Sequence, residues 1–421
     1  MTTRREFIKD AAVLAGGGAL LGKAARAGVP CRPAAGPAPA PLPSSRVVSA
    51  AASDMLIDTR YNPAAVGRAF DAGMRELTGE KTQAAAWSSL FSPSDVVGIK
   101  INCLGAPRVS SSVESVNAVV AGLKSAGVKE NAIIVWDRRD AEFQKTGLTL
   151  NKGTSCVRVT GTSTQGESIL PWVEGYDRDA FIAFEDGTLA KFRALCRTDF
   201  FQTATQRELF NSMTWLWMLS RMGDERAKKY EPEMRRLYTA EHDRQGVKKI
   251  FDDVLGRFDA VTIPDEEKSC FSRIVSREIT KLVNIAVLKH NEDSGVTWAT
   301  KNIALGVTTN KVRFHIDYCA KAIPEILASP WLRDKMVLHI GEAAKISTVS
   351  VAGTHVAADN RIFFSRDPVA LDRIGLDILE EKRREQGLES IREIATHVAS
   401  CAMKGLGTDD LSRIDQRALK V

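Results

Sequence analysis

The chain has no C-x-x-C pair: its seven cysteines, Cys31, Cys103, Cys156, Cys196, Cys270, Cys319 and Cys401, are widely scattered. That spacing leaves no iron–sulfur motif and no cysteine zinc site. Their odd number would leave at least one free or intermolecular thiol in an oxidising compartment. An excess of charge of one sign is also lacking beyond the first residues. Of 58 basic and 52 acidic residues, five and two lie in the first 27, so 53 face 50 in the remainder. Without basic residues clustered on one face, nucleic acid is not an expected partner. The apolar stretch Ala11 to Leu21 has eleven residues, against roughly 20 needed to span a bilayer. No transmembrane segment is therefore expected in the mature chain, and no repeat of solenoid period occurs. What remains is 421 residues, 44% apolar and 26% charged, enough for a sizeable folded core.

The first residues carry a pattern of their own. "TRREFIKDAAVLAGGGALLGKAARAG" has paired arginines, Arg4 and Arg5, then Phe7 and Lys9, a mildly apolar stretch, and the small-x-small sequence "ARA". It resembles a twin-arginine export signal cleaved near Ala27, with Lys23 as the basic residue before the cut. The resemblance implies the twin-arginine export machinery as a partner and a periplasmic or otherwise exported location. Such export carries folded proteins, some with an inserted cofactor. "GGGALLG" is not a dinucleotide loop, because no strand precedes it. "AGVPC" lacks the small residue a lipid-modified Cys31 would follow. Residues 28–45 hold six of the fifteen prolines and read as a solvated linker.

Residues 46–421 read as one α/β domain: a mostly parallel sheet flanked by helices in three layers, with a helical insertion at about 170–255. Asn62-Pro63 starts a helix whose apolar residues Ala65, Val66, Ala69, Phe70 and Met74 share one face. "DVVGIKIN" is a short buried strand, "SSSVESVNAVVAGLKSAGV" a serine-capped helix, and "NAIIVWDRR" and "CVRVTG" two further strands. "FDAVTIP", "KLVNIAVLK", "KMVLHIGEA" and "NRIFFS" resume the strands after the insertion. Asp367 caps a helix that Pro368 opens, and Asp372 reads as acidic charge favourable to its helix dipole. Within the insertion, "MTWLWML" reads as buried helix core in preference to an apolar ligand pocket.

Taken in order, "DVVGIKIN", "AIIVWDR", "LVNIAVLKHNEDSGVTWATKNIALG", "VLHIGEA", "FFSRDPVALDRIGLDIL" and "GLGTDDLSRI" resemble domain of unknown function family 362. That family shows a strand ending in lysine-x-asparagine, a second ending in lysine-histidine, a threonine and lysine-asparagine segment, and an aspartate-proline helix start. The resemblance spans roughly residues 60–420 outside the insertion. Ile101 stands where the family usually has proline, Glu342 where aspartate is usual, and the ferredoxin-like cysteine module of some relatives is absent. The resemblance implies a fold and a set of residues, not an activity.

In parallel α/β sheets, ligands bind outside the carboxyl ends of the strands. Lys100 with Asn102, Asp137 with Arg138, and Lys289 with His290 are all expected there, with Thr297, Lys301 and Asn302 just beyond. Three lysines and neutral donors facing one cleft would suit a small anionic ligand, a carboxylate or phosphate. Burial would also lower a lysine pKa enough for acid/base or nucleophilic chemistry by Lys100, Lys289 or Lys301. The residues favour neither plain binding nor catalysis, and each lysine alone also reads as a solvated strand end. The rival reading is a non-catalytic metal- or cofactor-binding protein, with Asp137, His290, Glu342 and Asp367 around a divalent ion. His315 and His339 read as satisfied core histidines on apolar strands, and His242 as exposed. "GTSTQG" reads as a polar turn in preference to a phosphate loop.

Overall fold

The computed structural model describes residues 45–164, 172–184, 267–353 and 355–421, with single positions 229 and 232. The expected export signal, the linker up to residue 44, "FDAVTIP", "MTWLWML" and His242 all lie outside the described residues. Nearly all of the described residues form one compact unit, lying within Ala38–Ser168, Trp172–Ile182 and Ser269–Val421, and every candidate residue belongs to it.

Its strands are β1 (Ser45–Ala51), β2 (Leu56–Ile57), β3 (Arg60–Tyr61), β4 (Val97–Lys100), β5 (Ile133–Arg139), β6 (Arg158–Ser163) and β7 (Tyr176–Ala183). Then follow β8 (Lys268–Ser272), β9 (Lys281–Asn291), β10 (Gly295–Thr297), β11 (Met336–Ser347), β12 (Val356–Ala358), β13 (Arg361–Ser365) and β14 (Ile414–Lys420). The helices are α1 (Pro63–Thr78), α2 (Gln83–Ser88), α3 (Val113–Ser125), α4 (Ala299–Val307), α5 (Ala322–Leu327), α6 (Pro368–Glu385) and α7 (Thr396–Met403). β7 corrects one expectation. It opens the segment read as a helical insertion, yet "YDRDAFIA" pairs with β8 in a small separate sheet.

Ten strands form the main sheet, ordered β14-β1-β13-β11-β9-β4-β5-β6, with β10 on β9 and β12 on β11. β13 is antiparallel to both its neighbours, and every other step along that order is parallel. Seven of the eight strands in that order therefore point one way. The fold is the expected α/β sheet flanked by helices. The β4 residues are all buried, as are nine successive residues of β9. Strands covered on both faces read as unbroken apolar runs, which is how these two stand in the sequence.

Alternation along β13 shows both covering layers. Phe364 meets Phe70 of α1 edge to face at 5.1 Å, while the adjacent Phe363 meets Trp298, at the start of α4, at 5.3 Å. α1 forms where its caps direct it: the Asn62 side chain accepts from Ala64 N at 3.1 Å, and Gly79 closes it in the left-handed region at φ 78°. α3 begins at Ser112, whose Oγ accepts from Ser115 N at 3.1 Å. The Trp298 indole needs bare backbone on two sides. A Cβ at Gly341 or Gly375 would lie 2.2 Å or 2.1 Å from its ring.

The direction in which successive strands are laid down reverses between the parallel neighbours β4 and β9. From β4 the chain proceeds through α3 to β5 on one side; from β9 it proceeds through α4 and α5 to β11 on the other. Such a switch point opens a crevice at the strand carboxyl ends. It is there that Lys100 and Lys289 stand.

Candidate functional site at the ends of β4 and β9

Lys100, the last residue of β4, is 1% exposed, and its amine donates to Asp137 Oδ1 at 2.7 Å and to the Ile101 carbonyl. Asp137 also accepts from Cys103 N at 2.7 Å and Arg138 N at 2.8 Å. Burial pushes its carboxyl up, but Lys100 and Arg138 outweigh that and hold it down at about 2. Gly306 in α4 makes room for this lysine, since a Cβ there would stand 2.4 Å from Lys100 Cε.

Lys289 is fully buried on β9, and its amine has neutral partners: it donates to Asn102 Oδ1 at 2.7 Å and to the Leu104 carbonyl. Burial is the main force on its pKa, pushing it down to about 7. Asp137 and Cys103 pull the other way, while Arg138 and Lys100 add to the fall. From Asn102 a ladder of amides crosses the crevice. Asn102 Nδ2 donates to Asn302 Oδ1 at 2.9 Å, Asn302 Nδ2 to Asn284 Oδ1 at 2.7 Å, and Asn284 Nδ2 to the Ala299 carbonyl at 3.1 Å. Asn284 was not anticipated as a site residue. Its signal is a lone asparagine inside the apolar run "LVNIAV", where an unpaired amide would be costly.

The structure thus brings Lys100, Asn102, Asp137, Lys289 and Asn302 together. Lys301 turns elsewhere: one helical step from Asn302, its amine donates to Asn291 Oδ1 and Ser294 Oγ, both at 2.6 Å, in the turn between β9 and β10. The expected common focus of three lysines is in fact a pair, Lys100 and Lys289, with Lys301 in its own corner. His290 Nδ1 donates to the Val349 carbonyl at 2.5 Å. Thr297 lies directly across from Lys289 in the β9–β10 pair, and its buried hydroxyl has no hydrogen-bond partner.

The carboxylates of the metal reading stand apart. Glu342 accepts from Ser112 N at 3.0 Å, Ser115 Oγ at 2.6 Å and Ser112 Oγ, so it serves the start of α3. Burial raises its pKa, and those bonds offset part of the rise. Asp367 caps α6 through Val369 N at 2.8 Å and Ala370 N at 2.9 Å, and also accepts from Thr408 N at 3.0 Å. Because β13 is reversed, that cap lies toward the end of the sheet opposite Lys289, and from Lys100, which shares a row with Ser365, it is separated by β9 and β11. Among the described residues, no three His, Cys, Asp or Glu side chains are grouped to hold a metal ion.

Four further expectations change. Asp372 does not serve the start of its own helix; it accepts from Ala299 N at 2.6 Å, Thr300 N at 3.0 Å and Thr300 Oγ, capping α4 from the neighbouring element. His315 lies in a 3-10 turn, Val312–Asp317, between left-handed Asn310 and Tyr318, where an extended strand cannot run. Residues 161–163 continue β6, pairing Asp137↔Gly161 and Arg139↔Ser163, so no turn begins at Gly161. His339 is buried on β11 as expected, with its pKa pushed down to about 3 by burial, but its Nε2 has no partner. None of the five described cysteines forms a disulfide with another of them.

Every residue of α4 is buried, so its first amides depend on Asp372. Asp372→Ala should lower unfolding free energy by about 2–4 kcal/mol, a lost cap plus buried orphan donors. Urea denaturation checks this, and a loss below about 0.5 kcal/mol would contradict the capping role.

The sequence pattern of the DUF362 family, a domain of unknown function, matches residues 237–377. That span includes Lys289, His290, Thr297, Lys301, Asn302, Glu342 and Asp367, and leaves Lys100, Asn102 and Asp137 outside it. No curated protein and no solved structure matches the chain. Among the described residues, no helix is long and apolar enough to cross a membrane.

Proposed function

We propose that the protein binds a small anionic ligand at the carboxyl ends of β4 and β9, and that Lys289 exchanges a proton with it. One observation carries this reading. Of the two buried lysines on β4 and β9, Lys100 has a carboxylate partner, Asp137, while the Lys289 amine is hydrogen-bonded to the neutral oxygens of Asn102 and Leu104. A buried ammonium without a paired carboxylate is costly, so the site favours either an arriving anion or a neutral amine able to take a proton. The amide ladder holds Asn102 and Asn302 in place beside it.

Lysine carrying 13C at Cε reports each amine by NMR. The Lys289 signal should titrate near neutral pH, and oxalate or inorganic phosphate should shift it upward by stabilising the ammonium. Lys289→Met should abolish the response to those anions while keeping the cooperative melt. Equal anion binding by the variant would sink the reading.

The mature chain acts, in this proposal, after export by the twin-arginine route, a reading supported by "TRREFIK" and the "ARA" site. Changing Arg4 and Arg5 to lysine should leave the uncleaved precursor in the cytoplasm, as fractionation and blotting would detect. Unchanged processing would remove the export assignment.

A further inference from the structure

We infer that Lys289 is a nucleophilic amine that forms an imine with a small carbonyl compound bearing an acid group; this rests on the anion reading above. Thr297 of β10 lies directly opposite Lys289, and Ser347 of β11 is its partner on the other side. The Ser347 hydroxyl is used, donating to the Ser350 carbonyl. The Thr297 hydroxyl is 93% buried by its residue's 7% exposure and has no partner. A buried, unbonded hydroxyl on the residue opposite this lysine in the sheet supplies the donor and acceptor an attacked carbonyl oxygen needs.

The nearby charges are balanced in pairs, Lys100 with Asp137 and Arg138 with Glu142, so the positive charge that favours a carboxylate on the substrate is that of the protonated imine itself. The Leu104 carbonyl accepts from the amine, and Leu104, Pro107 and Arg108 on its segment are exposed, while Gly105 lets the backbone descend. A Cβ at Gly105 would lie 2.6 Å from the Val109 carbonyl oxygen and 3.4 Å from Lys289 Nζ.

The step balances without an added oxidant or reductant. The Lys289 Nζ lone pair forms the C–N bond as the carbonyl π pair moves to oxygen. One amine proton passes to that oxygen on addition and the second on elimination, so the oxygen leaves as water and the nitrogen, having lost both, is left doubly bonded to carbon. Thr297 Oγ acts on the departing oxygen, as donor when it gains charge and acceptor when it gains hydrogen.

Glyoxylate with borohydride converts such an imine to a stable carboxymethyl-lysine, which peptide mass mapping locates on the full chain. The expected result is modification of Lys289 ahead of the surface lysines, its loss in Lys289→Met, and a rate about tenfold lower in Thr297→Val, the equivalent of one hydrogen bond. Thr297→Ser should restore the rate. Labelling of surface lysines with Lys289 untouched would overturn the inference, and mapping the wild-type chain gives that answer even if a variant fails to fold. Glycolate, with the same carboxylate and no carbonyl, separates the two levels. A Lys289 NMR shift with glycolate but no glyoxylate adduct ends the imine proposal and leaves anion binding standing. Response to neither ends both.

Discussion

Lys100→Met lowers the unfolding free energy by about 3–5 kcal/mol, the usual cost of stranding one member of a buried ion pair. The methionine side chain fills much of the same space beside Gly306, so the loss is electrostatic. Asp137 is left 3% exposed with its carboxylate bonded to Cys103 N and Arg138 N and without the ammonium 2.7 Å away. Its pKa then rises from about 2, because burial, the largest influence on it, is no longer outweighed. Adding Asp137→Leu to Lys100→Met recovers much of the stability, since an apolar pair bears no desolvation cost. Urea titrations of wild type, both single variants and the double variant measure the coupling. A loss under about 1 kcal/mol would class the pair with surface ion pairs, against the structure.

Lys289→Met changes how stability depends on pH. An unfolded lysine titrates near 10.5 and folded Lys289 near about 7. Above the unfolded value both states are neutral and burial carries no penalty. As pH falls from 10.5 to 7, the unfolded chain takes the proton and the folded chain does not. Wild-type stability therefore drops by about 1.4 kcal/mol per pH unit, about 5 kcal/mol across the window, and levels off below it. The methionine variant lacks that contribution. Lys311, also pushed well down by burial, slopes the same way in both proteins and cancels in the difference. Denaturation series at pH 7, 8.5 and 10 decide it, and parallel pH profiles would show that Lys289 is charged when folded.

The two lysines stand differently against the sequence. "DVVGIKIN" and "LVNIAVLKH" each place a lysine at the end of an apolar run, and β4 and β9 end there. Partner choice was not readable. Lys289 meets Asn102 across 187 residues and Asn102 meets Asn302 across 200, contacts set by which strands lie side by side. Lys301 and Asn302 are adjacent in the chain, yet a helical step of about 100° sends one amine to the β9–β10 turn and the other side chain into the amide ladder. Asp372 misleads for a similar reason. Its place in α6 suggests service to its own helix, and only the packing of α6 on α4 gives it Ala299 and Thr300.

By itself the sequence determined what depends on neighbours along the chain. The Asn62-Pro63 and Asp367-Pro368 helix starts, the buried strands and the α/β class follow from caps and periodicity acting over a few residues. Only the tertiary structure decided the reversal of β13, which takes Asp367 toward the end of the sheet opposite Lys289, and the meeting of β4 with β9, which pairs Lys100 and Lys289. Those outcomes come from sheet order. Burying several apolar strands together leaves many orders open to local pattern, and packing of both covering layers selects one.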